Sequence, residues 1–141
     1  MNSSFKVHNR DAVDSCGFGD FVIKFIEKCL KGKLTLENSV GYVVNFCAWN
    51  KYAQPGLFPE DDDLTKRFLL IEILGVDSAQ NLTSQITGYV EILGNGNYLV
   101  FTREEDGTRA MEIEGSLEHT LGELYHRMKV FAVEPPAELV S

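Results

Sequence analysis

Apolar residues are spaced first for a helix, then for strands, then for a helix again. Over 20–31, Phe21, Phe25 and Cys29 fall at i, i+4 and i+8 with Val22 and Ile26 beside them. That is the stripe an amphipathic helix turns toward a core. Asp20 stands where an N-cap accepts free N–H groups, and Gly32 suits the residue after the last turn. The polar, mixed residues 1–16 predict a loosely ordered lead-in apart from Phe5 and Val7. With Thr35 as a cap, Leu36, Val40, Val43, Val44 and Cys47 keep helical spacing and predict a second helix. The β-branched content of 40–44 speaks for a strand instead.

Residues 68–74 predict a buried strand, against a competing helix supported by acids at 60–63 and Lys66 and Arg67 one turn later. Beyond them the reading is firmer. Segments 86–93 and 98–103 flank Gly94-Asn95-Gly96-Asn97 and form a hairpin, whose Gly and Asn residues supply positive φ. A turn at Glu105-Asp106-Gly107 leads to 108–114, where apolar and polar residues alternate. Ser116 caps a final helix with Leu117, Leu121, Leu124 and Met128 on one stripe and Tyr125 at its flank. The tail at 134–138, with Pro135 and Pro136, cannot extend it and predicts disorder. The expected class is α+β in a single domain over 1–141: N-terminal helices, an antiparallel β-meander of three to four strands, and a C-terminal helix packed on the sheet.

A chain of 141 residues buries enough surface to fold without metal or disulfide. Its net charge of −8 is divided unequally, +2 over residues 1–53 and −10 over 54–141. The second part is therefore unsuited to a nucleic-acid backbone, which needs clustered Lys and Arg. It suits basic protein partners, whose encounter it accelerates. Three cysteines, Cys16, Cys29 and Cys47, with no C-x-x-C pair speak against a disulfide framework and a zinc site. With no apolar signal region and no membrane-length run, the expected location is cytoplasmic.

The candidate chemistry is sparse. His119, Glu123 and His126 share a helix face, and Glu123-x-x-His126 is half of a di-iron motif, but the helical wheel puts them opposite the apolar stripe. Cys16 precedes Gly17-Phe18-Gly19 and a helix start, where a helix dipole lowers a thiol pKa. Thiol hydrolases place their nucleophile in this way, so a small Cys16-dependent hydrolase is the enzymatic alternative. A calcium loop from Asp61 lacks its turn glycine, since Lys66 occupies the sixth position. No cofactor is expected.

The remaining features favour binding over catalysis. Glu60, Asp61, Asp62 and Asp63, together with the strand acids Glu91, Glu112 and Glu114, are read as a negative surface that imitates a row of phosphates. Glu104-Glu105-Asp106 is a second acidic cluster. Trp49, Tyr52 and Phe58 lie in and before a Pro-marked loop and serve either as a lid on the core or as interface anchors. In size, charge and α+β build the whole chain resembles the immunity proteins that bacteria pair with toxins of contact-dependent growth inhibition and related polymorphic systems. The resemblance implies a non-enzymatic antitoxin whose acidic surface occludes a cationic, nuclease-type toxin domain, with no direct contact to nucleic acid or membrane. A phage or plasmid inhibitor that mimics nucleic acid shares the same surface and differs in its partner.

Overall fold

The computed structural model describes residues 2–32, 36, 39–53 and 63–130, without the side chains of 2, 3, 84 and 128–130. Along them run β1 (Asn2–Val7), α1 (Arg10–Ser15), α2 (Gly19–Gly32), β2 (Gly41–Asn50), β3 (Arg67–Val76), β4 (Leu82–Ile92), β5 (Tyr98–Arg103), β6 (Arg109–Gly115) and α3 (Leu117–Val130). Among the described residues the strands form one six-stranded sheet in sequence order. β1 is parallel to β2, and every later neighbour is antiparallel. The α+β class and the closing helix are as the pattern predicts, while the sheet is mixed and wider than a short meander.

Three segments differ from expectation. Residues 1–16 are not a loose lead-in: they supply β1 and α1. Phe5 and Val7 point to the core and alternate with exposed Ser4 and Lys6, the signature of an edge strand covered on one side. The helix expected from Thr35 is the strand β2. There Tyr42, Val44, Phe46 and Ala48 are buried on one face. Val43 and Cys47, half-buried on the other, are the residues that imitate helical spacing. Residues 68–74 fall within β3, so the strand reading holds there. The tail at 134–138 lies outside the described residues.

Why β1 stops where it does is visible in one side chain. Backbone pairing ends at Val7 opposite Phe46. Asn9 then turns left-handed (φ 43°). Its amide donates to the Ala48 carbonyl at 2.8 Å and accepts from the Ala48 N–H at 3.4 Å. A side-chain amide thus stands in for the next strand residue, and the chain is free to enter α1 without orphaning β2.

The helices lie on one face of the sheet. Val13 of α1, Phe21, Phe25 and Cys29 of α2, and Leu121, Leu124 and Tyr125 of α3 form one core with Leu69, Ile71 and Ile73 of β3, Val90 of β4 and Val100 of β5. Phe25 meets both Phe46 and Tyr125 edge-on, at 6.0 and 6.2 Å. Ser116 caps α3 as its position predicts, accepting the His119 N–H at 3.2 Å.

The three antiparallel loops after β3 are built alike. In each, an N–H donates across the neck (Asp77 to Asn81, Leu93 to Asn97, Glu104 to Thr108, 2.8 to 3.0 Å), and the residue before the second neck position is left-handed. That residue is Gly96 (φ 87°) and Gly107 (φ 89°) in two loops, and Gln80 (φ 66°) in the third. These are three-residue loops with a left-handed last position, which favours glycine. Replacing Gln80 with glycine therefore removes a strain of about 1 kcal/mol. Thermal unfolding is expected to show Gln80→Gly melting about 3 °C higher and Gly96→Ala melting lower.

Candidate functional site

Strand register sets what the second face of the sheet presents. Trp49, Phe68, Glu91, Leu99 and Glu114 are successive partners across β2 to β6, and Cys47, Leu70, Tyr89 and Phe101 make the adjacent row. No helix among the described residues packs on this face. Trp49, Phe68 and Phe101 are nonetheless buried, in a second cluster with Leu70, Tyr89 and Leu99. Trp49 lies 5.8 Å from Phe68, and Tyr89 stacks on Phe101 at 5.5 Å. Trp49 is accordingly a β2 core residue, the lid reading of the sequence, and not a loop aromatic aimed at solvent.

Glu91 also departs from the expected negative surface. It is 2 % exposed. Arg109 Nη1 donates to its Oε1 at 2.9 Å, and Lys66 Nζ lies 3.5 Å from its Oε2. The Arg109 guanidinium lies 4.4 Å from the Phe101 ring centroid and 5.7 Å from that of Phe68, so the ion pair roofs the aromatic cluster. A carboxylate can remain charged in such a place only because cations replace its water. Alternation with Val90 and Ile92 marks Glu91 as facing away from the main core. It cannot show that an arginine eighteen residues later folds over it.

The other predicted residues separate into two places. Glu112 and Glu114 are exposed on the edge strand β6. The β5–β6 turn adds exposed Glu104, Glu105 and Asp106. Five carboxylates therefore decorate one hairpin at the β6 edge of the sheet that the described residues form. Hydrogen bonds from the Thr108 hydroxyl and N–H hold the Asp106 carboxyl below its usual range. Asp63 and Tyr52 lie elsewhere, in the connection from β2 to β3, three strand spacings or about 14 Å from β6. Asp63 is exposed and Tyr52 is 75 % exposed. Glu60, Asp61, Asp62 and Phe58 fall outside the described residues. The sequence had singled out Glu104–Asp106 as a cluster, but only the hairpin geometry joins it to Glu112 and Glu114.

A ladder of polar side chains crosses the second face further along. His8 Nε2 is 3.3 Å from Asn45 Oδ1, Asn45 Nδ2 donates to Glu72 Oε1 at 3.2 Å, and Gln85 Nε2 donates to Glu72 Oε2 at 2.8 Å. It holds Glu72, a β3 carboxylate, within protein contacts.

Cys16 stands before the start of α2 at Gly19, as the sequence suggested, but its thiol is not activated. It is also the C-cap of α1, so the carbonyl end of that dipole faces it, and its side chain is buried. Desolvation raises its pKa, against smaller lowering effects of Ser15 and Arg67. Gly17 adopts φ 88° to make the turn into α2, the backbone role of a glycine. Burial pushes the Cys29 thiol up to about 12. Cys47 is half-buried on the second face of β2 and is likewise raised by desolvation. His119 and His126 are exposed on α3, and among the described residues no three His, Cys, Asp or Glu side chains converge as a metal site. No described helix is long and apolar enough to cross a membrane.

Comparison with protein families, curated proteins and solved structures finds no match to this chain.

Two measurements check this geometry. Glu91→Ala removes the buried carboxylate that meets half-buried Arg109 and Lys66, and urea unfolding is expected to show a loss of about 3 kcal/mol, partly recovered when Arg109→Met is added. Iodoacetamide at neutral pH is expected to label Cys16 more slowly than a free thiol and to leave Cys29 untouched until the chain is unfolded.

Proposed function

We propose that this protein is a non-enzymatic, acidic protein-binding module that works through its β5–β6 edge hairpin. Within that class, the reading we favour is an immunity protein that neutralises a cationic, nuclease-type toxin by covering its active site. The observation that carries the reading is the set of five exposed carboxylates, Glu104, Glu105, Asp106, Glu112 and Glu114, on one hairpin at the sheet edge. Over 103–115 the only basic residues are Arg103 and Arg109, and Arg109 is committed to Glu91. The hairpin therefore projects a negative field, which accelerates encounter with a basic surface and fixes orientation.

Support also comes from what the hairpin can offer geometrically. β6 is an edge strand, and its outer backbone groups can pair with an extended segment of a partner. Lys and Arg side chains on that segment would meet Glu112 and Glu114 in register, forming charge-assisted hydrogen bonds. Glu91 and Trp49 support the hairpin and the aromatic cluster from beneath and leave direct contact to exposed side chains. Tyr52 and Asp63 would belong to a second, separate contact. The buried Cys16, with its raised pKa, adds nothing to the hydrolase alternative.

The test is direct. The hairpin variant Glu104→Gln, Glu105→Gln, Asp106→Asn, Glu112→Gln, Glu114→Gln is expected to lose at least about tenfold in affinity for a cationic toxin domain captured by the wild type, with a slower and less salt-dependent on-rate. It is also expected to fail to protect cells expressing that toxin. A neutralised hairpin that associates and protects like the wild type would overturn the proposal.

A further inference from the structure

On the helix side of the sheet, at the inner side of the same β5–β6 hairpin, β4 and β5 part company. Their pairing runs from Ile92 opposite Tyr98 only as far as Tyr89 opposite Phe101. Residues 82–88 of β4 continue along β3 alone, while Thr102 and Arg103 of β5 continue with β6. A bulge then sets Met111 in the left-handed region (φ 54°), with its side chain exposed at the rim. The sheet is split there, and α3 crosses above the split. The result is a cavity of about 330 Å³. Its body is apolar, from Ile86, Met111 and Leu124, with Thr87 and Thr102 beside them.

One group in that wall is at odds with its surroundings. Arg127, one helical turn after Leu124, lines the cavity, and its Nη1 is buried with no hydrogen-bond partner among the described residues. A guanidinium N–H shut away from water is costly unless an acceptor meets it. Arg103 lines the same cavity and adds a second positive charge, against the single carboxylate of Glu104 at the mouth. An apolar chamber at the small end of ligand-site volumes, with a few convergent polar groups, is the usual form of a small-molecule site.

We propose that this cavity binds a small amphipathic carboxylate, with the carboxylate on Arg127 and the hydrocarbon body against Ile86, Met111 and Leu124. A planar carboxylate accepts two parallel N–H bonds from a guanidinium fork, the acceptor that Nη1 lacks. The apolar body fills the space left by the splayed strands. The site borders the acidic hairpin and shares Glu104 with it, but its charge preference is opposite.

The test titrates the full chain with octanoate, 1-octanol and octylamine, following methyl resonances by NMR. Octanoate is expected to bind with shifts centred on Ile86, Met111 and Leu124, and at least about tenfold more tightly than 1-octanol, with octylamine weakest. Arg127→Gln is expected to bring octanoate down to the affinity of 1-octanol and to leave 1-octanol unchanged, and Arg127→Lys to fall between. Equal binding of octanoate and 1-octanol by the wild type, no octanoate binding at millimolar concentration, or shifts centred elsewhere would each overturn the proposal. The three-ligand comparison decides the matter even if the Arg127 variants unfold. The two readings fail separately, because this one is read by small-ligand binding to the wild-type chain and to Arg127 variants, and the hairpin by toxin binding.

Discussion

The constraint behind this architecture is that, among the described residues, the helices cover one face of a six-stranded sheet and leave the other without a helical layer. On the covered face the solution is ordinary: strand residues of one parity meet the stripes of α2 and α3. The second face must bury its own aromatics, and it does so with a lateral row. Trp49, Phe68, Tyr89 and Phe101 pack across four strands, Trp49 tilted against Phe68 and Tyr89 stacked on Phe101, and the Arg109–Glu91 pair lies over them. An ion pair is a weak source of net stability, but breaking it is expensive, because Glu91 is buried and depends on the cations that meet it. It ties β4 to β6 through side chains where their backbones have β5 between them. The edge hairpin is therefore anchored to the middle of the sheet.

That anchoring would suit the hairpin to the binding role proposed for it. An exposed two-stranded ribbon is marginal by itself. Here its inner residues Val100 and Ile113 enter the main core, and Leu99 and Phe101 enter the second cluster. The carboxylates outside are thus presented on a fixed frame. A preorganised charged surface loses less side-chain and loop freedom on association than a mobile one.

The sequence made the fold legible wherever one face of an element was wet. The α2 stripe, the α3 stripe with its Ser116 cap, and the β4–β5–β6 turns could all be read from spacing and turn residues. It misled where both faces are apolar or where an edge strand is short. β2 buries residues of both parities, and a strand without clean alternation cannot be told from a helix by period alone. β1 has only Phe5 and Val7 to show its direction, and its stability depends on β2, forty residues away. Glu91 exposes the deeper limit. Alternation gives the face a residue points to, but whether that face is solvent depends on the side chain opposite, and Arg109 reaches it only after β5 and β6 have folded back. The cavity by Arg127 was equally hidden, because the splitting of β4 from β5 is a property of register and bulge, which no local pattern encodes.

The acid edge can be understood without any partner, and the two explanations separate on position. Natural sheets protect a free edge with charge, so that a second copy of the same strand cannot add to it. For that purpose the charges need only lie on the strand, and Glu112 and Glu114 would suffice. Glu104, Glu105 and Asp106 lie beyond the strand in the turn, where they guard no backbone ladder. The turn geometry itself requires only Gly107 and the Asx bond from Asp106. Two carboxylates in the turn are thus unexplained by edge protection or by turn chemistry. A cationic surface docking along the whole hairpin, as proposed, would use them together with the strand pair as one continuous row. Such a row would repel a second copy of this acidic chain and attract a basic strand, so protection against self-association and selection of a partner would be two consequences of one charge pattern.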